Sequence, residues 1–180
     1  MKKILTLTLI LFLVCAITAG VLGVVNEITH ERIEEQNRIK TERAYAAVLA
    51  SDGYEEVPFD GATFPTVDKI NRCTNGAGYV VTTTFSGAQG SITMAVGVDN
   101  DYTCTGISII SHAETSGLGA VAASTSEKGV TWRAQFVGED ENVAITKAGG
   151  NIDAIAGATI TSRSVANATA VAIHAVQSLG

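Results

Sequence analysis

The first apolar segment of the chain is long and uninterrupted. Ile4–Val25 holds 22 residues without a charge, and as an α-helix it would be roughly 33 Å long, enough to cross the hydrocarbon core of a bilayer. A secretory signal has a shorter apolar region, so the pattern predicts a retained transmembrane anchor over 1–25, in contact with the lipid bilayer. A helix-favouring continuation over 26–50 lacks a wide apolar stripe, which indicates a solvated stalk.

Beyond the stalk, the pattern changes to one typical of strands. Both prolines (Pro58 and Pro65) lie within 51–66, which we interpret as a linker and loop, so that stalk and linker together occupy 26–66. Three segments rich in β-branched and aromatic residues then follow one another at short intervals. These segments, 78–85, 91–98 and 103–110, predict a short antiparallel meander.

Helical patterns flank the predicted meander within the domain 67–180. An alanine-rich segment over 118–128 predicts a helix, and 143–146 is a short strand candidate. Helical spacing of apolar positions predicts a long helix over 161–179, with one face formed by Val165, Ala168, Ala172, Ala175, Val176 and Leu179. Trp132 and Phe136 are four positions apart and are expected to pack in the core. The fold class is therefore α+β: one transmembrane helix, then a compact domain with a short antiparallel sheet and flanking helices.

Charge and cysteine content narrow the possible functions. The chain has 18 acidic and 12 basic residues and a net charge of −6, and the excess of acids lies beyond the stalk, so a nucleic-acid partner is not expected. Cys73 and Cys104 stand far apart in sequence without a C-x-x-C pair, and no metal site is expected. Whether these two cysteines pair in a disulfide stays open, because spacing alone does not show proximity.

The segment Asp153–Ser162 (DAIAGATITS) is the most informative for chemistry. Its simplest interpretation is a glycine turn that leads into the last helix, with Thr159 or Thr161 as the N-cap. A threonine has little nucleophilic power of its own near neutral pH, so no catalytic residue is assigned. A helix N-terminus does, however, favour a phosphate group, and Gly157 allows the backbone to approach it closely.

This segment resembles the flavinylation signature Asp-x-x-Ser/Thr-Gly-Ala-Thr. The signature belongs to the FMN-carrying proteins of two membrane complexes: the G subunit of the Rnf complex and the C subunit of the Na⁺-translocating NADH:quinone reductase. The resemblance implies that an ApbE-type flavin transferase joins Thr159 to the phosphate of FMN. Ala156 stands where the family has Ser or Thr. By resemblance the remaining cofactor-binding positions of the segment are Asp153, Gly157, Ala158, Thr161 and Ser162.

A second segment, His112–Gly119 (HAETSGLG), is similar to the Glu-Thr-Pro-Gly-Leu-Gly stretch of the same family. Ser116 replaces the usual proline. The resemblance implies that this segment and Lys147 lie around the flavin, with Glu114, Thr115, Gly117, Leu118 and Gly119 as the positions concerned. The two motifs occur in the family order, and the short chain favours the Rnf protein over its counterpart in the quinone reductase.

The resemblance implies an electron-carrier subunit that is not catalytic alone. It would relay electrons within a membrane complex that couples ferredoxin and NAD⁺ to ion movement, with the other Rnf subunits as partners. Lysines and arginines flank the anchor on both sides, so charge leaves the orientation undecided; the resemblance implies a cell-membrane protein with an extracytoplasmic domain. Two alternatives remain: a stand-alone flavinylated carrier for extracellular electron transfer, and a non-redox tethered binding or assembly module.

Overall fold

The computed structural model describes residues 2–179, which divide into two units, one ending at Lys40 and one beginning at Thr41. Helix α1 runs over Lys2–Val48. Its apolar side chains from Ile4 to Val25 are exposed, and it is the one helix among the described residues that is long and apolar enough to cross a membrane. The first unit is this helix as far as Lys40.

The second unit is built on a five-stranded antiparallel sheet in which each strand pairs with the next along the chain. Its strands are β1 (Tyr54–Val57), β2 (Val67–Cys73), β3 (Gly78–Ser86), β4 (Ser91–Asp99) and β5 (Cys104–His112). Pairing of β3 with β4 runs without a shift from Gly78 opposite Asp99 to Ser86 opposite Ser91. The four residues 87–90 therefore form the hairpin turn, and the predicted meander is confirmed in β3, β4 and β5.

Strands β1 and β2 were not predicted. The linker interpretation of 51–66 is wrong for Tyr54–Val57, which pairs with β2 as the edge strand. Exposed Glu55 and Glu56 give this edge a charge, which opposes pairing with another chain. In β2 the alternation is disturbed by a register shift between Val67 and Lys69, so the strand does not show a clear period of two.

Both faces of the sheet are covered, which explains why β3 is apolar at consecutive positions. Val81 belongs to a core with α3, whereas its neighbour Val80 belongs to a smaller cluster on the other face with Tyr45 and Val48 of α1. Gly97 lies opposite Gly106 in the sheet, and a Cβ at Gly97 would come within 2.7 Å of the Val48 carbonyl oxygen. Val48, the last residue of α1, thus packs on a glycine pair.

The helical segments after β5 differ in part from expectation. A single helix over 118–128 is wrong: a 3₁₀ helix (Gly119–Ala123) is separated from α2 (Glu127–Ala134), because Ser126 caps α2 by accepting a hydrogen bond from the Gly129 N–H. The strand candidate at 143–146 is also wrong, since Ile145 makes only an isolated bridge with Ile152 before a second 3₁₀ helix (Thr146–Ala148).

The last helix, α3 (Thr159–Gln177), confirms the predicted helix and begins two residues earlier. Its apolar face packs on the sheet as expected, with Leu179 partly buried beyond its end. Trp132 and Phe136 meet edge to face in the same core, with ring centroids 5.1 Å apart. The α+β fold class is therefore confirmed.

Cys73 and Cys104 are both buried and unpaired. Cys73 lies in the cluster with Tyr45, whereas Cys104 lies in the core with α3. The two thiols are thus on opposite faces of the sheet, and the open question of their pairing is answered: they do not form a disulfide.

Candidate functional site

The two motif segments meet in the folded domain. Thr161 in the first turn of α3 donates a hydrogen bond of 2.5 Å to the Glu114 carboxylate, across 47 positions of sequence. The two segments also lie close together at a second point, because a Cβ added at Gly157 would lie 3.0 Å from Cδ2 of Leu118. The loop after β5 and the start of α3 therefore form one site.

Glu114 is a buried carboxylate that links three parts of the chain. Its Oε1 accepts hydrogen bonds from the backbone N–H groups of Ala88 and Gln89 at 2.9 and 3.0 Å, and its Oε2 accepts the bond from Thr161. Burial alone raises the pKa of this carboxyl group, but the bonds from Gln89, Thr161, Ala88 and Gly90 outweigh burial and hold the pKa below its ordinary value. Glu114 is therefore ionised and connects the β3–β4 turn, its own loop and α3. We call Glu114 with its partners Ala88, Gln89 and Thr161 the Glu114 clasp.

Two glycines make room for this carboxylate. A Cβ at Gly87 would lie 2.4 Å from Oε1 of Glu114, and one at Gly119 would lie 2.2 Å from Oε2. Gly119 was expected near the flavin, and in the structure it borders the clasp. Gly87 and the N–H donors of the β3–β4 turn were not found in the sequence, whose only signal there is a pair of glycines bounding a hairpin turn.

Thr159 is the first residue of α3 and is half-buried. Its hydroxyl has no hydrogen-bond partner among residues 2–179. The expectation that Thr159 or Thr161 caps the helix is wrong, because Ala158 occupies the N-cap position and no side chain caps α3. The first N–H groups of the helix are therefore left for another acceptor.

Ser162 holds the turn before α3. Its hydroxyl donates to the Ala158 carbonyl at 2.9 Å and accepts a bond of 2.9 Å from the Ile155 N–H. Gly157 in this turn has a φ of +76°, a conformation that favours glycine. Ser162 is buried, so it acts on the backbone of the turn and is not exposed toward a ligand.

Asp153 is exposed, but its backbone is fixed on both sides by α2 and the residue that follows that helix. The indole N–H of Trp132 donates to the Asp153 carbonyl, and the Asp153 N–H donates to the side-chain oxygen of Gln135, each at 2.8 Å. The carboxylate of Asp153 is therefore presented to solvent from a held backbone. The roles of Trp132 and Gln135 here could not be found from the sequence.

The other positions expected around the flavin divide into two sets. Thr115, Gly117 and Leu118 lie in the loop that carries Glu114, and the Leu118 side chain is 44% exposed beside Gly157. Lys147 is exposed in the 3₁₀ helix Thr146–Ala148, and no described contact joins it to Thr159.

No group of three or more His, Cys, Asp or Glu side chains among residues 2–179 is arranged to hold a metal ion.

The arrangement suits a phosphate ester. The Thr159 hydroxyl, which has no partner in the described part of the chain, stands at the start of a helix without a side-chain cap. There the N–H groups and the partial positive charge favour an anion. Beside it lie a glycine with positive φ and exposed apolar side chains of Leu118 and Ile160. The residues present therefore fit a cofactor with a phosphate at one end and a flat apolar ring system at the other.

Two family models match parts of the chain. A family model described as "FMN-binding domain" matches residues 87–174, and one described as "RnfG N-terminal region" matches residues 1–48. The first begins at Gly87 beside the Glu114 clasp, and the second ends at Val48, the last residue of α1. The first match contains both motif segments, and it leaves strands β1, β2 and β3 outside its bounds.

Several similar proteins are named as G subunits of ion-translocating oxidoreductase complexes. The G subunit of the Na⁺-translocating ferredoxin:NAD⁺ oxidoreductase complex of Acetobacterium woodii is 35% identical over 201 residues, covering 99% of this chain and 94% of that protein. The G subunit of an ion-translocating oxidoreductase complex from Methanosarcina acetivorans is 38% identical over 109 residues, and the match covers 59% of this chain and 55% of that protein. The corresponding G subunit from Escherichia coli O157:H7 is 28% identical over 90% of the chain and 84% of its own length.

A solved structure shows the same fold. The C subunit of the Na⁺-translocating NADH-quinone reductase from Parabacteroides distasonis matches with a TM-score of 0.55 and 19% identity, over 78% of this chain and 92% of that one. The family is shown by the near full-length Acetobacterium match and the two family models: the chain belongs to the family of G subunits of ion-translocating oxidoreductase complexes and carries an FMN-binding domain.

Proposed function

We propose that this protein is a membrane-anchored electron carrier whose FMN is joined by a phosphoester to Thr159. It acts within an Rnf-type complex that couples ferredoxin and NAD⁺ to ion movement, with the other subunits of that complex as partners. The observation that carries the proposal is the half-buried Thr159 hydroxyl, which has no partner among residues 2–179 and stands at the uncapped start of α3.

Several residues would hold the cofactor in this proposal. Thr159 provides the ester oxygen, and the N–H groups of Ile160 and Thr161 face a phosphate at the helix start. The exposed side chains of Leu118 and Ile160 offer apolar surface to the ring system. When bound, FMN supplies chemistry in which one or two electrons are accepted and passed on; the protein supplies its position and surroundings.

Attachment requires a flavin transferase and FAD, because no base among residues 2–179 is hydrogen-bonded to the Thr159 hydroxyl. The Thr159 oxygen forms a new bond to the phosphorus of the FMN half of FAD, the bond between the two phosphates breaks, and AMP leaves with its phosphate. The hydroxyl proton passes to a base of the transferase or to water. The exposed Asp153 carboxylate, whose backbone is held by Trp132 and Gln135, is a group that such an enzyme can contact.

A covalent bond serves a carrier on the outer side of the membrane. An extracytoplasmic domain cannot draw on the cytosolic FMN pool, and an ester prevents loss of the cofactor while the ring system stays free to react. We place the protein in the cell (inner) membrane with α1 as a single-pass anchor and the FMN-binding domain outside. A stand-alone carrier would share these features, so co-purification of other membrane subunits with the solubilised chain separates the two.

The test is to produce the full chain together with a flavin transferase and to view a denaturing gel under ultraviolet light. We expect a fluorescent wild-type band, a dark Thr159→Ala band, and an unchanged band for Thr131→Ala, a control at an exposed threonine of α2. A dark wild-type band, with the transferase shown to label another acceptor, contradicts the proposal, and so does a Thr159→Ala band as bright as wild type.

A further inference from the structure

The clasp described above joins two residues that do not contact the acceptor hydroxyl. Thr161 follows Thr159 by two positions in α3, so their side chains point about 200° apart around the helix axis. This agrees with their burial: Thr161 is fully buried, whereas Thr159 is half-buried. Glu114 therefore holds the side of the turn that faces away from the Thr159 hydroxyl.

This bond is one of few that fix the first turn of α3. The helix has no side-chain cap, and an uncapped helix end frays readily. Ser162 ties the turn to the residues before it, whereas the Thr161–Glu114 bond ties it to the sheet, through the N–H groups of Ala88 and Gln89. Without this bond, the side-chain hydrogen bonds that remain at the first turn are the local ones made by Ser162.

We propose that Glu114 and Thr161 are positioning residues for flavin attachment: their hydrogen bond fixes the first turn of α3, and so the place of the Thr159 hydroxyl. The inference rests on the proposed function, and it differs from the resemblance, which sets Glu114 and Thr161 around the flavin itself. Both side chains are buried and engaged with protein groups, so they act through the backbone that carries Thr159.

The role is geometric, and the clasp permits a test of that point. The two N–H donors use Oε1 of Glu114, whereas Thr161 uses Oε2. A glutamine can therefore place its oxygen at the first position and its NH₂ at the second, where the Thr161 hydroxyl accepts in place of donating. Glu114→Gln keeps the connection without the charge, and Glu114→Ala removes it.

The experiment measures the initial rate of labelling of the detergent-solubilised full chain by purified flavin transferase and FAD, over a range of acceptor concentrations. For Thr161→Val and Glu114→Ala we expect kcat to fall about tenfold with little change in KM, because a small misplacement of a reacting group costs up to about a hundredfold. Thr161→Ser and Glu114→Gln restore a hydrogen-bonding group and are expected to recover most of the rate. Thermal unfolding is followed on the same samples.

Thr169→Val is the matched control. Thr169 is also a fully buried threonine of α3, and its hydroxyl bonds within the helix to the Val165 carbonyl. We expect this variant to be labelled at the wild-type rate. Three results would overturn the inference. The first is a wild-type kcat for Thr161→Val, and the second is a fall in its kcat that its unfolded fraction alone explains. The third is a Glu114→Gln protein that is labelled as slowly as Glu114→Ala. An unlabelled wild type instead overturns the proposed function.

Discussion

Leu118 and Gly157 lie side by side across the two motif segments, and a Cβ at Gly157 would fit only if Leu118 or the turn moved by a few tenths of an ångström. A Cβ at Gly157 would lie 3.0 Å from Cδ2 of Leu118, and the φ of Gly157 is +76°. A side chain at this position therefore meets both a steric and a conformational obstacle. Since Gly157 lies two residues before Thr159, either obstacle acts on the start of α3.

Gly157→Ala is expected to reduce flavin labelling per folded protein, beyond the loss that its lower folded fraction explains. Positive φ costs an alanine about 1 kcal/mol relative to glycine, and a Cβ 3.0 Å from Cδ2 of Leu118 forces the turn and the Leu118 side chain apart by a few tenths of an ångström. Labelling by flavin transferase is measured as in-gel fluorescence per folded protein, with the folded fraction taken from thermal unfolding of the same sample.

Gly138→Ala is the control for this substitution. Gly138 also has a positive φ, +85°, but a Cβ there would meet nothing within 4 Å. It therefore bears the conformational cost alone, and we expect a similar loss of stability with normal labelling per folded protein. Equal labelling of the two variants would show that the Leu118 contact does not matter for attachment.

The sequence predicted the elements whose pattern reflects burial alone. Strands β3 and β4 and helix α3 are apolar on the faces that they bury, and each was predicted within two residues of its bounds. In β2, by contrast, Asn71 is buried because its amide binds the Tyr45 hydroxyl. A polar residue that is buried by a partner in another element looks exposed in the sequence, so this strand could not be recognised.

The sequence predicted which residues belong to the candidate site but not the hydrogen bonds that join them. Both motifs were located from resemblance, and the structure brings Glu114 and Thr161 together. The N–H groups of Ala88 and Gln89 complete the clasp, but backbone donors are present in nearly every residue and leave no mark in sequence. The same reason hid the hydrogen bonds that Asp153 makes with α2 and the residue after it, since its own partner groups there are main-chain atoms.

The Glu114 clasp makes stability depend on acid pH. The folded state holds the pKa of Glu114 below the ordinary glutamate value of about 4.3, so its contribution is fully present above that value and is lost as pH falls through the lower, folded pKa. We expect the urea midpoint of the wild type to fall over this range more steeply than that of Glu114→Gln, whose side chain cannot take up a proton there.

The comparison needs a control for the change in net charge. Glu55→Gln makes the same change at an exposed position of β1, outside the clasp. Urea unfolding of the three full-length proteins is followed from pH 7 downward. If Glu114→Gln shows the same acid dependence as wild type and Glu55→Gln, the carboxylate does not have the lowered pKa on which this prediction depends.

Tyr45 near the end of α1 is expected to support the stability of the second unit without affecting flavin labelling. Its hydroxyl forms a hydrogen bond of 2.6 Å with Thr82 and accepts one of 3.1 Å from Asn71. Tyr45→Phe leaves the buried Asn71 amide without this partner, a loss of about 1–3 kcal/mol. Tyr102→Phe, at a side chain that is 36% exposed, is the control in thermal unfolding; reduced labelling of folded Tyr45→Phe would contradict this separation.

The two cysteines of the sheet are expected to resist alkylation in the native protein. Burial raises the pKa of the Cys104 thiol to about 12 and raises that of Cys73 as well, so little of the reactive thiolate is present near neutral pH. In a Cys15→Ser background, iodoacetamide should modify neither thiol until urea is added and then modify both without a reductant. Two unmodified thiols in urea would indicate a disulfide and contradict the structure.

Gln135 and Trp132 hold the backbone of Asp153. We predict that loss of these hydrogen bonds slows flavin labelling, because it loosens residues 153–158, which lead to Thr159. Gln135→Ala removes the acceptor for the Asp153 N–H, and Trp132→Phe removes the donor to its carbonyl while keeping a ring beside Phe136. Each lost bond costs about 1 kcal/mol. Because Asp153 is exposed, water replaces the lost partners, and the segment before the helix becomes freer. The smaller ring at buried position 132 also lowers stability, so labelling is expressed per folded protein.

We therefore expect the double variant to be labelled several-fold more slowly per folded protein, with faster amide hydrogen exchange over 153–158. The control is Gln177→Ala, which removes a side-chain hydrogen bond to Glu141 at the other end of α3. Faster exchange without slower labelling would contradict the prediction, because it would mean that the mobility of residues 153–158 does not limit the rate of labelling. Unchanged exchange would mean that the turn held by Ser162 is sufficient to fix the segment, and that the contacts with α2 serve only the core.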